Sequence, residues 1–176
     1  MKKVWLLFSI ALLTIGCVTK KTETKGVSDS LAVNSDVLAT QPAPATLAFD
    51  EISGFFLDNK LTFTDSVNYF LFNSQEELNK KFDSGKTPAS EVISPDFTIN
   101  YVVAVACLPT QNLTTIVMDK VEINERDINV YLNIQQGEKQ TFVSKPSRIF
   151  AIEKRDGYLA MQFFVNGKKD KAIMLQ

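Results

Sequence analysis

Hydrophobic positions recur at every second residue in two stretches of this chain, 128–134 and 159–165, and run together in others. The longest apolar run beyond the N-terminus, Ile99-Asn-Tyr-Val-Val-Ala-Val-Ala-Cys-Leu108, lies between Pro95 and Pro109 and predicts a central strand. Valine at 102, 103 and 105 disfavours a helix, because a β-branched side chain loses rotamer freedom against the preceding turn but packs well on a pleated surface. Residues on both sides of the run are apolar or small, so both faces of the strand should be covered, as in a sheet packed on a second layer. Each large apolar side chain buried there contributes about 1.5–3 kcal/mol before conformational entropy is subtracted.

Upstream, order is expected to begin near Leu47. Phe49, Ile52, Phe55, Phe56 and Leu57 form an apolar cluster broken by Gly54, readable as a helical turn or as a bulged strand, and Asp58-Asn59-Lys60 supplies a turn. Val67–Phe72 reads as a strand. Ser74-Gln-Glu-Glu77 is a capping box, and Leu78 and Phe82 stand one turn apart, which predicts a short amphipathic helix over Ser74–Phe82. Lys86–Pro95 reads as a loop.

Downstream, Leu113–Asn124 and Ile128–Gln135 are expected strands joined by the turn Glu125-Arg126-Asp127, with Ile128, Val130, Leu132 and Ile134 on one face. Gln136-Gly137-Glu138 reads as a loop tip, with Gln140–Val143 resuming a strand until Pro146. Arg148–Lys154 and Tyr158–Asn166 are expected to form a hairpin through Arg155-Asp156-Gly157, Leu159, Met161, Phe163 and Val165 sharing a face. After Asn166-Gly167, Ala172–Leu175 is expected to be an edge strand guarded by Lys168, Lys169 and Lys171. The sum is a mainly β chain with one short helix, an α+β fold built as an antiparallel β-sandwich or open barrel.

The N-terminus follows another pattern. Met1-Lys2-Lys3 is cationic, Val4–Ile15 is apolar, and Gly16-Cys17 follows, as in a secretory signal; the apolar segment falls short of the roughly 20 residues that a membrane-spanning helix needs. Leu13-Thr14-Ile15-Gly16-Cys17 resembles the bacterial lipoprotein signal, in which the cysteine is lipidated, although Thr14 stands where leucine is usual. A cut elsewhere would leave a free soluble protein. Each buried methylene contributes about 0.8 kcal/mol, so several acyl chains on Cys17 would hold the protein on a membrane. Residues 17–46, rich in Thr, Ser, Lys, Ala and Pro, read as a lipidated cysteine followed by a disordered tether, with 1–16 as signal peptide and 47–176 as one β-rich domain. Lys20 and Lys21 behind Cys17 give no acidic surface-export signal, which favours a periplasm-facing envelope anchor over the cell surface.

Composition narrows the chemistry. The 176 residues contain no histidine, which removes the commonest general base and metal ligand and any imidazole-dependent triad. With Cys17 in the export signal, Cys107 stands alone in the central strand and reads as a small buried hydrophobe; no structural disulfide, metal cluster or other cofactor is expected. Without Lys2 and Lys3 the 19 basic residues become 17 against 20 acidic ones, a net charge of −3, and no basic stripe points to nucleic acid. Asp96, Asp119, Glu122 and Glu153 are the carboxylates that an acid–base enzyme would have to pair, and solvated charges are the simpler account of them. Ser144-Lys145 and Ser147-Arg148 offer a serine-lysine pairing without a pocket signature. The expectation is a protein that is not an enzyme.

Read together, Pro95-Asp-Phe97, Asn100-Tyr-Val-Val-Ala-Val105, Pro109-Thr110 before a strand ending in Val121, and Lys145-Pro146 ahead of Ile149–Ile152 resemble the C-terminal domain family named for PrcB, over about residues 67–153. The strand-to-helix segment Val67–Phe82 is similar to the family's layout. The resemblance implies a secreted subunit that supports an extracellular protease complex. The family has a glycine-glycine-aromatic turn after the proline-threonine pair, where this chain has Gln111-Asn112-Leu113.

The expected function is therefore that of a non-catalytic, lipid-anchored envelope protein binding a partner protein such as a secreted protease. Its candidate contacts are Pro109, Thr110, Gln111, Asn112 and Leu113, with Lys145, Pro146 and Ser147 as a second loop. The alternative is a small-ligand or glycan-binding lipoprotein, whose stacking rings would be Tyr69, Tyr101, Tyr131 and Tyr158.

Overall fold

The computed structural model describes residues 44–85 and 94–175. Cys17, the signal and the tether up to residue 43, and loop residues 86–93, lie outside the described residues. The elements are β1 (Phe49–Ile52), β2 (Phe55–Leu57), β3 (Val67–Phe72), α1 (Gln75–Asn79), β4 (Phe82–Ser84), β5 (Asn100–Cys107), β6 (Thr110–Asn124), β7 (Asp127–Ser144), β8 (Ser147–Glu153), β9 (Ala160–Val165) and β10 (Lys168–Met174). They form one four-stranded sheet in the order β1-β8-β5-β3, a second in the order β10-β9-β7-β6, and the small pair β2-β4. All pairings are antiparallel except β7 with β9, which is parallel.

The central strand behaves as its composition requires. Residues 102 to 107 are all buried, and they divide by parity. Val103, Val105 and Cys107 face the second sheet, where they meet Ile116, Met118, Ile128, Val130, Leu132, Met161 and Phe163. Val102, Ala104 and Ala106 face the other way, onto Leu57, Phe72, Leu78 and Phe82. The mainly β fold is thus a sandwich whose first sheet carries a third layer, made of α1 and the β2-β4 pair. The small alanines at 104 and 106 suit the side covered by bulky phenylalanines.

Several boundaries differ from the sequence pattern. Gly54, at φ 85°, ends β1 and lets the chain re-enter as β2, so the apolar cluster is two short strands and not a helical turn. Ser74 Oγ accepts the Glu77 N–H at 3.2 Å, as a capping box requires, whereas Glu77 Oε2 reaches one residue further back, to the Asn73 N–H, at 2.9 Å. The helix then ends at Asn79. Phe82 is not its last turn but the first residue of β4, opposite Leu57, and reaches the same apolar cluster as Leu78 from a strand.

The β6-β7 ribbon is longer than its apolar alternation suggested. Gln136, Gly137 and Glu138 lie inside β7 rather than in a loop, because backbone pairing with β6 continues through polar residues that need no buried face. The expected hairpin of Arg148–Lys154 with Tyr158–Asn166 does not form: β8 belongs to the first sheet and β9 to the second, so Arg155-Asp156-Gly157 lies in a crossing between sheets. An Asp-Gly pair supplies the positive φ at Gly157, 91°, whichever strands it joins. Leu159 stands outside β9 and is 44% exposed, not on the core face with Met161 and Phe163.

The two long sides of the sandwich differ. On one, residues 45–47 run along β6, with Leu47 N–H donating to Val121 O at 3.0 Å and Ile123 N–H to Ala45 O at 2.7 Å, and the chain continues into β1 of the other sheet. On the other, β3 and β10 are both edges, linked by Tyr69, whose ring stacks on Phe163 at 4.4 Å and whose hydroxyl donates to Asp170 Oδ2 at 2.6 Å. β10 carries Lys168, Lys169 and Lys171 at its edge and begins earlier than the apolar pattern alone indicated.

Candidate functional site

The chain crosses between the two sheets at Leu108-Pro109, from β5 to β6, and at Lys145-Pro146, from β7 back to β8. Proline suits both places, since a residue leaving one sheet for another has no ladder partner for an N–H. Although separated by more than thirty residues in sequence, the crossings are neighbours. Thr110 is registered with Ser144, and Cys107 N–H donates to Pro146 O at 2.8 Å. The expected contact segments 109–113 and 145–147 therefore form one end of the sandwich.

Within that end the residues divide into scaffold and surface. Thr110, Gln111, Asn112 and Leu113 are the first residues of β6, not a loop. Thr110 Oγ1 accepts the Asn112 N–H at 3.0 Å, and Asn112 Nδ2 donates to Gln136 Oε1 at 3.2 Å. Lys145 is half-buried, its ammonium donating to Asn59 O at 2.6 Å and Leu61 O at 2.8 Å, so it fastens the β2-β3 connection. Pro146 contributes its carbonyl to β5, and Ser147 begins β8. Pro109, Gln111 and Leu113 are left to face solvent.

Two neighbours were not legible in the sequence. Between the register pairs Thr110-Ser144 and Asn112-Lys139, β7 carries Gln140, Thr141, Phe142 and Val143 opposite the single residue Gln111. This distortion turns Phe142 and Val143 out of the core, leaving them 58% and 60% exposed, while Leu113, 52% exposed, lies against Gly137 of β7. On the far side of Lys145-Pro146, Phe56 and Arg148 line an open groove of ≈ 530 Å³. The exposed Phe56 ring rests over Gly85, where a Cβ would stand 2.5 Å from Phe56 Cε2. Arg148 Nε is held by Glu51 Oε1 at 3.0 Å. No sequence pattern marks either residue, because the contacts that place them come from β1 and from Gly85.

The four candidate carboxylates are each engaged by local partners or spread over both sheets. Asp96 Oδ1 accepts the Thr98 hydroxyl at 2.6 Å and the Thr98 N–H at 2.8 Å, a turn that starts the run into β5 and holds its carboxyl below the usual range. Glu153, also at that end of the first sheet, is ion-paired with Arg155 at 3.1 Å, and that hydrogen bond lowers its pKa. Glu122 pairs with Lys120 at 2.7 Å in the second sheet, and Asp119 is the extra residue of a β-bulge there. Among the described residues no group of His, Cys, Asp or Glu could hold a metal ion. Cys107 is buried, which pushes its thiol pKa up.

The Asp96 turn carries a pH prediction. Its carboxyl is more acidic folded than unfolded, so its contribution is full above the ordinary carboxylate pKa of about 4 and is lost as pH falls through the lower folded value. Asp96→Asn should flatten that limb of the stability curve in urea titrations from neutral to acid pH. An unchanged slope would show that the turn does not depend on the charge.

The tyrosines are also occupied. Tyr69 is stacked and hydrogen-bonded as above. Tyr101 donates to Arg155 O at 3.0 Å with Lys154 Nζ 5.5 Å over its ring. Tyr131 stacks on Phe164 at 4.9 Å with Lys120 Nζ 4.6 Å above it. Tyr158 packs half-buried against the inter-sheet core.

Fold and site together define a β-sandwich with a helical cap and a polar, partly apolar end where the chain twice changes sheet. No protein-family model, no curated protein and no solved structure matches the chain. No helix among the described residues is long and apolar enough to cross a membrane.

Proposed function

We propose that this chain is a non-catalytic, lipid-anchored envelope protein that binds a partner protein, such as a secreted protease, and stabilises or restrains it. The anchor is the acylated Cys17, facing the periplasm, and the docking end is 109–113 with 145–147. One observation supports the docking end above the rest: two segments remote in sequence meet through the Thr110-Ser144 register and the Cys107-Pro146 bond, with Leu113, Phe142 and Val143 exposed beside them. Clustered exposed apolar side chains with a polar rim are the usual makings of a protein interface. In this reading Gln111, Leu113, Phe142 and Val143 touch the partner, while Lys145 and Pro146 hold the end in shape.

The resemblance to the PrcB family supports the same reading through the residues that carry it. The glycan alternative draws less support, since the candidate rings are used for internal stacking or covered by lysines.

Replacing Gln111–Thr114 by Gly-Ser-Gly-Ser in the full chain should abolish recovery of the partner from detergent-solubilised envelopes while leaving most of the melting temperature intact. Equal recovery with both chains would remove the docking end from the proposal.

A further inference from the structure

Among the described residues β3 is an edge strand, paired on one side only, with β5. Cys107 turns its N–H toward Pro146, away from β3, and Leu108 N–H turns back to Ser66 O at 3.3 Å. In an antiparallel ladder both backbone groups of a residue point the same way, so Val67, opposite Cys107, directs its N–H and C=O outward, as do Tyr69 and Leu71. No backbone partner for these groups occurs among the described residues. The next outward N–H, that of Asn73, is already taken by Glu77.

Other edges are guarded. β1 has four residues, two of them Asp50 and Glu51, while β10 is bulged and lysine-rich. β6 is covered at one end by residues 45–47 and bulged at Asp119. By contrast β3, Val-Asn-Tyr-Phe-Leu-Phe, is uncharged and pairs with β5 without a register shift. Such an edge templates another strand.

The surrounding charge selects what can add there. Along the strand runs an open groove of ≈ 420 Å³, bounded on the helix side by Glu77, whose carboxylate accepts the Asn73 N–H, and by Lys80 and Lys81. On the other side the Tyr69-Asp170 bond brings β10 alongside, and Asp170 is flanked by Lys169 and Lys171. Lys80 is paired with Glu76 at 2.9 Å, but Lys81, Lys168, Lys169 and Lys171 make no ion pair among the described residues. A second copy pairing edge to edge would set these lysines against one another.

We infer that β3 accepts, as an added antiparallel or parallel strand, an extended segment of a partner protein that alternates acidic with apolar residues. Its backbone would pair with Val67, Tyr69 and Leu71; its apolar side chains, all on one face, would extend the packing of Phe70, and its carboxylates, on the opposite face with Tyr69 and Leu71, would meet the lysines of β10. This edge is separate from the Gln111–Leu113 surface and does not rest on that surface's role.

The test uses the full chain in non-ionic detergent with a labelled peptide of about a dozen alternating glutamate and valine residues, and a control with lysine for glutamate. The acidic peptide should bind saturably, lose affinity as salt is raised, and slow hydrogen exchange at Val67, Tyr69 and Leu71; the lysine peptide should not bind. Lys169→Glu with Lys171→Glu, both exposed, should weaken binding roughly tenfold or more without moving the melting temperature. The Gln111–Thr114 replacement should bind the peptide normally, so failure of the docking end and failure of this edge are distinguishable. Absent binding, equal binding of both peptides, or protection confined to other strands would overturn the inference. So would self-association that protects the same three amides without peptide.

Discussion

Phe163→Ala is expected to destabilise the protein by about 3–5 kcal/mol, the range for removing a fully buried aromatic ring from a packed core. Phe163 has no exposed surface, belongs to the layer between the sheets, and carries the stacked ring of Tyr69 at 4.4 Å. Its loss opens a cavity where the strands of both sheets meet and removes the stacking partner of Tyr69, one of the contacts that tie β3 to the second sheet. Against a typical domain stability of about 5–15 kcal/mol this is a large fraction. Urea unfolding should show a lower midpoint with an unchanged slope. A loss below about 1 kcal/mol would mean that the two sheets do not share this core.

Leu78→Ala should have a comparable local effect, about 2–5 kcal/mol, with a different distribution. Leu78 is the single buried residue of a helix only five residues long, which cannot persist alone in water. It meets Phe82 and the outer face of β5. Removing it should release α1 and β4 first, seen as lost hydrogen-exchange protection at Leu78, Lys80 and Lys81, whose N–H groups form the helix bonds. Amides of β5 and β8 should keep most of theirs. Uniform loss across the sheets would show instead that the cap and the sandwich unfold as one unit. Together the two substitutions separate the layers on either side of the central strand.

The proposed docking end is built from both sheets. Its shape follows from β5 and β8 being neighbours in one sheet and β6 and β7 in the other, so both crossings must occur at the same end. A short polar segment such as Gln111-Asn112 is held there by backbone pairing, without a buried side chain of its own. Substitutions at such positions can therefore alter recognition while leaving the core untouched.

Much of the strand content was written locally. The valines of 102–105, the alternation Ile128-Val130-Leu132-Ile134, the capping serine and the Asn166-Gly167 turn each fix the conformation of their own few residues, and the structure has them as read. The tertiary structure was needed to place Phe82 in a strand, to send β8 and β9 into different sheets, and to expose Phe142 and Val143. A residue's neighbours in sequence decide its backbone preference. Which distant strand it pairs with depends on how all the apolar faces can be covered at once.

That division holds for the candidate site as well. Pro109 and Pro146 mark, by their missing N–H, places where the chain must leave a ladder, and this much is visible residue by residue. Their meeting at one end, the capture of the Lys145 ammonium by two carbonyls and the outward turn of Val67, Tyr69 and Leu71 are properties of register. Register is set by long-range pairing, where a shift of one residue would reverse every face, and so only the assembled sheets could decide it.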